Sequence, residues 1–290
     1  LFPFRYSPND PWFGQNPWWD LYGREPFDIY VPMSVGRLNG TGIIENPQVI
    51  EFLSIDTENG GLDERWALEV IPHVRRAMEK APDAPGILTW LYPFREYHEI
   101  AEQVPEWISA VNLGDWLMRD AINQGLPLNT VLSTDDFPTA MANGSLQQTV
   151  IVTPTTILPR TYESLLEEFV ANGGRLLLYG PLTQAPPRLR SLVGVELVEG
   201  IEGDFTVQSQ LQSDEFTVWA TERYLRHEAL LSGGPLCEIV KGDTEELVTV
   251  VQSDESRAYA TFRTNAGWLG GGVAWVRGSS SFDVPRPGAK

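Results

Sequence analysis

The sequence has 290 residues, 42% of them hydrophobic, with 39 acidic against 21 basic side chains and a formal net charge of -18. That length and hydrophobic content supply one large or two ordinary globular domains and exclude a disordered chain. The acidic excess excludes a nucleic-acid binder, which relies on Lys and Arg to neutralise phosphates.

No run of about 18 apolar residues occurs, so no membrane partner is expected. The start, LFPFRYSP, lacks an initiator Met and the basic-then-apolar layout of a signal peptide. With the tail FDVPRPGAK, this leads to the expectation of a processed or truncated piece of something longer. No targeting segment fixes a compartment, and the cytoplasm is the default expectation. Cys237 is the only cysteine, so an intrachain disulfide framework is excluded. His73, His98 and His227 are the only histidines, too few for a closed N/S metal site, and no metal is expected. The sequons at Asn39 and Asn143 matter only in a eukaryotic secretory protein.

In chain order, residues 1–48 are rich in Pro, Gly and aromatic residues and end in a candidate strand pair, FDIYVPMSV and TGIIENP. VIEFLSID then reads as a strand, and DERWALEVIPHVRRAMEKA as a helix with Trp66, Val70, Val74 and Ala77 at helical spacing, capped by Asp63 and stopped by PDAPG. GILTWLYPF is a second strand. REYHEIAEQVPEWISAVNLGDWLMRDAINQG is helical, with breaks predicted near Pro105 and Gly114 and closure at Gly125. LPLNTVLST, TVIVTPTTI and RLLLYGPL are further strands, with RTYESLLEEFVANGG a helix before the last of them. Short apolar strands alternating with helices predict an α/β fold over residues 49–200, a flavodoxin-like, doubly wound parallel sheet. Over residues 201–290 the strand-like runs DFTVQSQL, FTVWAT, LCEIVKG, ELVTVVQS, RAYATFRT and GGVAWVRG predict a smaller antiparallel β domain, a sheet or small sandwich.

Residues 84–200, about 40% of the chain, carry a family resemblance in the succession GILTWLYPF, GDWLMRDAINQGLPLNTVLS, TVIVTPTTILP, SLLEEFVANGGRLLLYGPL and LRSLVGVEL. This succession resembles the class I glutamine amidotransferase-like domain, in the trimerisation-domain version that β-galactosidases carry after their catalytic barrel. The F-V-x-x-G-G feature of that family is matched by Phe169, Val170, Gly173 and Gly174, with Gly180 ending the next strand. Glutamine hydrolysis needs a Cys on the tight turn after a strand, whereas the aligned turn here reads LYGPLTQAPP. The resemblance therefore implies a role in assembly and no catalytic residue. A complete barrel of roughly 200 residues or more does not fit into the 83 residues that stand before residue 84.

Strand-end carboxylates are the catalytic candidates. Asp56 and Glu58 follow VIEFLSI, and Asp135 and Asp136 follow NTVLST, where ligands sit in open parallel sheets. Two carboxylates in different environments divide into acid and base, as glycoside hydrolysis requires. The alternative is that both segments are polar turns and caps. YPFREYHE adds Tyr92, Arg95, Glu96 and His98, groups suited to sugar hydroxyls; alternatively Arg95 and Glu99 form an i,i+4 pair while Tyr97 packs inward. If the strands leading to Tyr92 and Asp135 are neighbours, their loops converge.

NDPWFGQNPWWDLYG places Trp12, Trp18, Trp19 and Tyr22 among Asn, Gln and Asp side chains. That mixture suits a carbohydrate surface, and equally an aromatic segment packed on the sheet or on another subunit. GIEGDF and GGG do not join a strand to a helix, so no nucleotide cofactor is expected, and no G-x-S-x-G elbow exists. The sequence-level expectation is an ancillary domain of a carbohydrate-active protein, working in assembly or carbohydrate binding, with a homo-oligomer or companion domain as partner. The alternative is a glycoside hydrolase using Asp56, Glu58, Glu96 and Asp135.

Overall fold

The computed structural model describes residues 3–6, 35–46, 49–52, 64–123, 125–156, 160–210 and 223–280. In chain order the elements begin with β1 (Pro3–Tyr6), β2 (Gly36–Leu38), β3 (Ile44–Glu45), β4 (Val49–Phe52) and α1 (Glu64–Glu79). Next come β5 (Leu88–Tyr92), α2 (Phe94–Gln103), a 3-10 turn, α3 (Ile108–Asn123), β6 (Leu128–Ser133), α4 (Phe137–Ala142), β7 (Val150–Pro154), α5 (Arg160–Ala171), β8 (Arg175–Tyr179) and α6 (Pro187–Val193). The remaining strands are β9 (Val195–Ile201), β10 (Gly203–Ser209), β11 (Arg223–His227), β12 (Leu236–Val240), β13 (Glu245–Gln252), β14 (Glu255–Arg263) and β15 (Gly272–Val276).

The described residues hold an eleven-stranded mixed sheet in the order β11-β10-β13-β14-β15-β8-β7-β5-β6-β2-β3. Its parallel part, β15-β8-β7-β5-β6, runs 5-4-3-1-2 when those strands are numbered along the chain, and β2 adds a further parallel neighbour to β6. The order reverses between β5 and β7, which makes their carboxyl ends the switch point of the sheet.

Alternation along the parallel strands covers both faces. Leu176, Leu178, Ile151, Val273 and Trp275 join the core beneath α4, α5 and α6, where Phe137, Leu166, Phe169 and Leu189 are buried. Leu177, Tyr179, Val150, Val152 and Trp90 face the other way, against Met118, Leu117 and Ile122 of α3. Strands buried on both faces account for the near-continuous apolar runs.

Several expectations change. The antiparallel strands do not form a separate sandwich: β14 pairs antiparallel with β15, which pairs parallel with β8, so β10, β11, β13 and β14 continue the central sheet. Among the described strands, β9 and β12 alone form their own antiparallel ribbon. VIEF does not enter the parallel sheet; β4 pairs in parallel with β1 as a two-stranded ribbon. The helix breaks at Val104–Pro105, where Pro105 opens the 3-10 turn, but α3 runs through Gly114. That glycine faces Tyr179, Tyr97 and Pro154, each at ordinary contact distance from a would-be Cβ. No described helix is long and apolar enough to cross a membrane.

Candidate functional site

Three of the sequence candidates meet at the carboxyl ends of β5 and β6, which are paired in parallel with Tyr92 opposite Ser133. Because the strands are neighbours, the turn after β6 lies beside the first turn of α2. Glu96, in that first turn, is buried with 1% of its surface exposed. A carboxylate there complements the N-terminal end of the helix dipole. Thr134 Oγ1 donates to Glu96 Oε2 at 2.8 Å, and Arg95 Nη2 stands 3.3 Å from Glu96 Oε1.

Arg95 is the centre of the charge pattern. Its Nη1 lies 2.5 Å from Asp135 Oδ1, and its Nε lies 3.8 Å from Glu99 Oε1. The i,i+4 pair expected on α2 is therefore present, and Tyr97 is buried as that reading requires. Asp136 instead accepts from Ser133 Oγ at 2.8 Å and lies 3.7 Å from Arg37.

Tyr92 points to the α3 side. Its hydroxyl donates to Asp115 Oδ2 at 3.2 Å, and its ring meets Trp90 and Tyr97 edge-on. Burial raises the Asp115 carboxyl, an effect the Tyr92 hydrogen bond partly offsets. Burial also raises the phenols of Tyr92, Tyr97 and Tyr179, and the Tyr179 hydroxyl accepts from Trp90 Nε1 at 2.9 Å. The hydroxyl of Tyr97 and Oδ1 of Asp115 are buried without hydrogen-bond partners among the described residues. His98 is exposed and sits edge-on to Phe94 at 4.7 Å.

Asp56 and Glu58, and the aromatic candidates Trp12, Trp18, Trp19 and Tyr22, lie outside the described residues. Among the described residues, no group of three or more His, Cys, Asp or Glu side chains could hold a metal ion.

A second polar cluster escapes sequence reasoning. Arg277, just past β15, and Glu238, within β12, are both fully buried, with Arg277 Nε 3.3 Å from Glu238 Oε1. Glu238 also accepts the N–H groups of Leu182 and Cys237, while Arg277 donates to the carbonyls of Ser232 and Gly234. His227 completes it, with Nε2 3.0 Å from Gly234 O and Nδ1 2.7 Å from Ser279 Oγ. Burial and the neighbouring Arg277 push His227 down to about 4, so it is neutral at pH 7. Its members lie tens of residues apart and form no motif; the available signal is a charge inside each of two apolar runs, LCEIV and VAWVR.

No protein-family model matches the chain, and no curated protein matches it by sequence. Solved structures do match by fold. A catalytic mutant of a GH42 β-galactosidase from G. stearothermophilus aligns at 12% identity and a TM-score of 0.50, over 90% of this chain and 45% of that one. A β-galactosidase from Bacillus circulans sp. alkalophilus aligns at 12% identity and 0.48, over 80% and 36%. An exo-β-1,4-mannosidase from Opitutaceae bacterium strain TAV5 aligns at 17% and 0.44, over 73% and 34%. At such identities the likeness is one of fold. The chain spans less than half the length of these proteins.

Proposed function

We propose that this chain is an ancillary, non-catalytic domain of a glycoside hydrolase-related protein, acting in assembly or carbohydrate binding. The strand order supports a flavodoxin-like reading of the parallel part, since 2-1-3-4-5 is the order of that doubly wound class. The amidotransferase-like resemblance fits the same order. Amidotransferase chemistry lacks its nucleophile, because the turn after β8 reads Gly180-Pro181-Leu182 and Cys237 is buried, its thiol raised chiefly by burial.

The observation that carries the non-catalytic reading is the position of Arg95. Glycosidase carboxyl groups flank a scissile bond, roughly 5–5.5 Å apart in retaining enzymes and 6.5–9.5 Å in inverting ones. Here the Arg95 guanidinium binds both Glu96 and Asp135, and Glu96 is further held by Thr134. A carboxylate as buried as Glu96 does not reach a glycosidic oxygen in solvent, which weighs against that candidate among the four.

The test is hydrolysis of a panel of aryl β-glycosides by the purified chain, alongside E96Q and D135N variants and a sedimentation measurement. Absent turnover, with self-association or saccharide binding, is the expected result. Turnover that disappears in E96Q while the fold persists would overturn it in favour of the glycoside hydrolase reading.

A further inference from the structure

Tyr97 on α2 and Asp115 on α3 come together beside the carboxyl ends of β5, β7 and β8. Gly114 marks the place: a would-be Cβ on it lies 3.7 Å from the Tyr97 hydroxyl, 3.6 Å from the Tyr179 ring and 3.9 Å from Pro154. Tyr179 and Pro154 are the last residues of β8 and β7. Asp115, the next residue of α3, accepts through Oδ2 from Tyr92, the last residue of β5, whose ring meets that of Tyr97 edge-on at 5.4 Å.

Each of the two side chains keeps one buried polar atom in reserve. Tyr97 is buried, and among the described residues neither its hydroxyl nor Asp115 Oδ1 has a hydrogen-bond partner. Burial chiefly, and then the nearby Tyr179 and Asp115, raise the Tyr97 phenol, so its oxygen carries a hydrogen at neutral pH. One atom therefore has a hydrogen to give and the other has lone pairs to receive one. Buried atoms of this kind are served in folded proteins by other protein groups or by ordered water, because leaving them unserved forfeits their hydration.

The chemistry of the pair narrows the bridging group. The Asp115 carboxylate repels an anion, and an ammonium ion has no lone pair with which to accept from a phenol. Among the described residues, no group of three or more His, Cys, Asp or Glu could hold a metal ion. What remains is a group that accepts and donates at once, and the smallest such group is water.

We propose that a single buried water binds between the Tyr97 hydroxyl and Asp115 Oδ1, accepting from the first and donating to the second. Two polar partners meet the minimum for an internal water. The bridge adds a hydrogen-bonded link between α2 and α3 to the packing of Tyr97 against Val111. It also leaves Asp115 Oδ2 to Tyr92, so one carboxylate joins both helices to the end of β5.

A high-resolution crystal map of the purified chain is the test, with water oxygen-17 relaxation dispersion as the solution measurement. The expected result is one water-sized peak within hydrogen-bond distance of both atoms, and the loss of one long-lived water in Y97F. D115N retains a carbonyl oxygen at the same place and should keep the water. A map in which Tyr97 bonds directly to Asp115 or to another protein group overturns the proposal. So does a larger solute whose hydroxyl reaches the pair, which would replace an enclosed water with a ligand site. An unchanged count of long-lived waters in a folded Y97F overturns it as well, and the wild-type map decides the matter alone if Y97F does not fold.

Discussion

Arg277 and Glu238 form a fully buried ion pair, Nε to Oε1 at 3.3 Å, that ties β12 to the end of β15. Removing one partner leaves an uncompensated buried charge, which costs about 3–5 kcal/mol. E238A should therefore lower the denaturant midpoint strongly, and R277A as well. The double variant should fall well short of the sum of the two, because each single change already disrupts the shared network. Additive losses in chemical denaturation would mean that the two residues act separately.

His227 predicts a pH dependence with a definite sign. Its folded value of about 4 lies below the ordinary 6.5, so the unfolded chain binds the extra proton first as pH falls. The stabilisation is fully present above about pH 6.5. It is lost progressively down to about 4, amounting to roughly 3 kcal/mol. Melting temperatures of the wild type and H227Q between those limits should show a steeper slope for the wild type.

At the strand-end site, burial separates two contacts that look alike on paper. Thr134 donates to the buried Glu96, so T134V should cost about 1–3 kcal/mol by leaving a carboxylate oxygen unserved. Asp135 and Arg95 are both largely exposed, and D135N should change stability by less than about 1 kcal/mol. Equal effects in urea titration would contradict the difference in burial.

Gly194 closes α6 in the left-handed region at φ +76°, its N–H bonded to Arg190 O, and a Cβ there would collide with Thr244 Oγ1. G194A should destabilise by more than about 1 kcal/mol, since strain and clash add. G125A is the control: φ is +97° but nothing lies within 4 Å of a Cβ, so only the backbone cost applies. A thermal-shift ranking of the two variants checks it.

The helix and strand alternation between residues 64 and 179 is legible in the sequence because each parallel strand is a compact apolar run and the longer helices have a 3.6-residue period. α4 and α6, at six and seven residues, are too short to show one. Partnership is less legible than element type. Nothing local in VIEF says that it pairs with PFRY rather than with the main sheet, and nothing in GGVAWVRG says that it lies against RLLLY. At the site, the Arg95–Glu99 pair follows from helical spacing, whereas the Arg95–Asp135 contact depends on β5 and β6 being neighbours. Glu238, Arg277 and His227 meet only through non-local pairing.

The place of β15 bears on how this chain can be cut. Its parallel partner β8 ends at Tyr179 and β15 begins at Gly272, so the sheet waits for a strand made more than ninety residues later. A fragment stopped after β9 would carry β8 as a raw edge, with unpaired amides and the apolar run Leu176, Leu177, Leu178 open to other chains. Such a fragment should aggregate, and expression trials should keep residues 35–280 together, since β2 covers the edge of β6 in the same way.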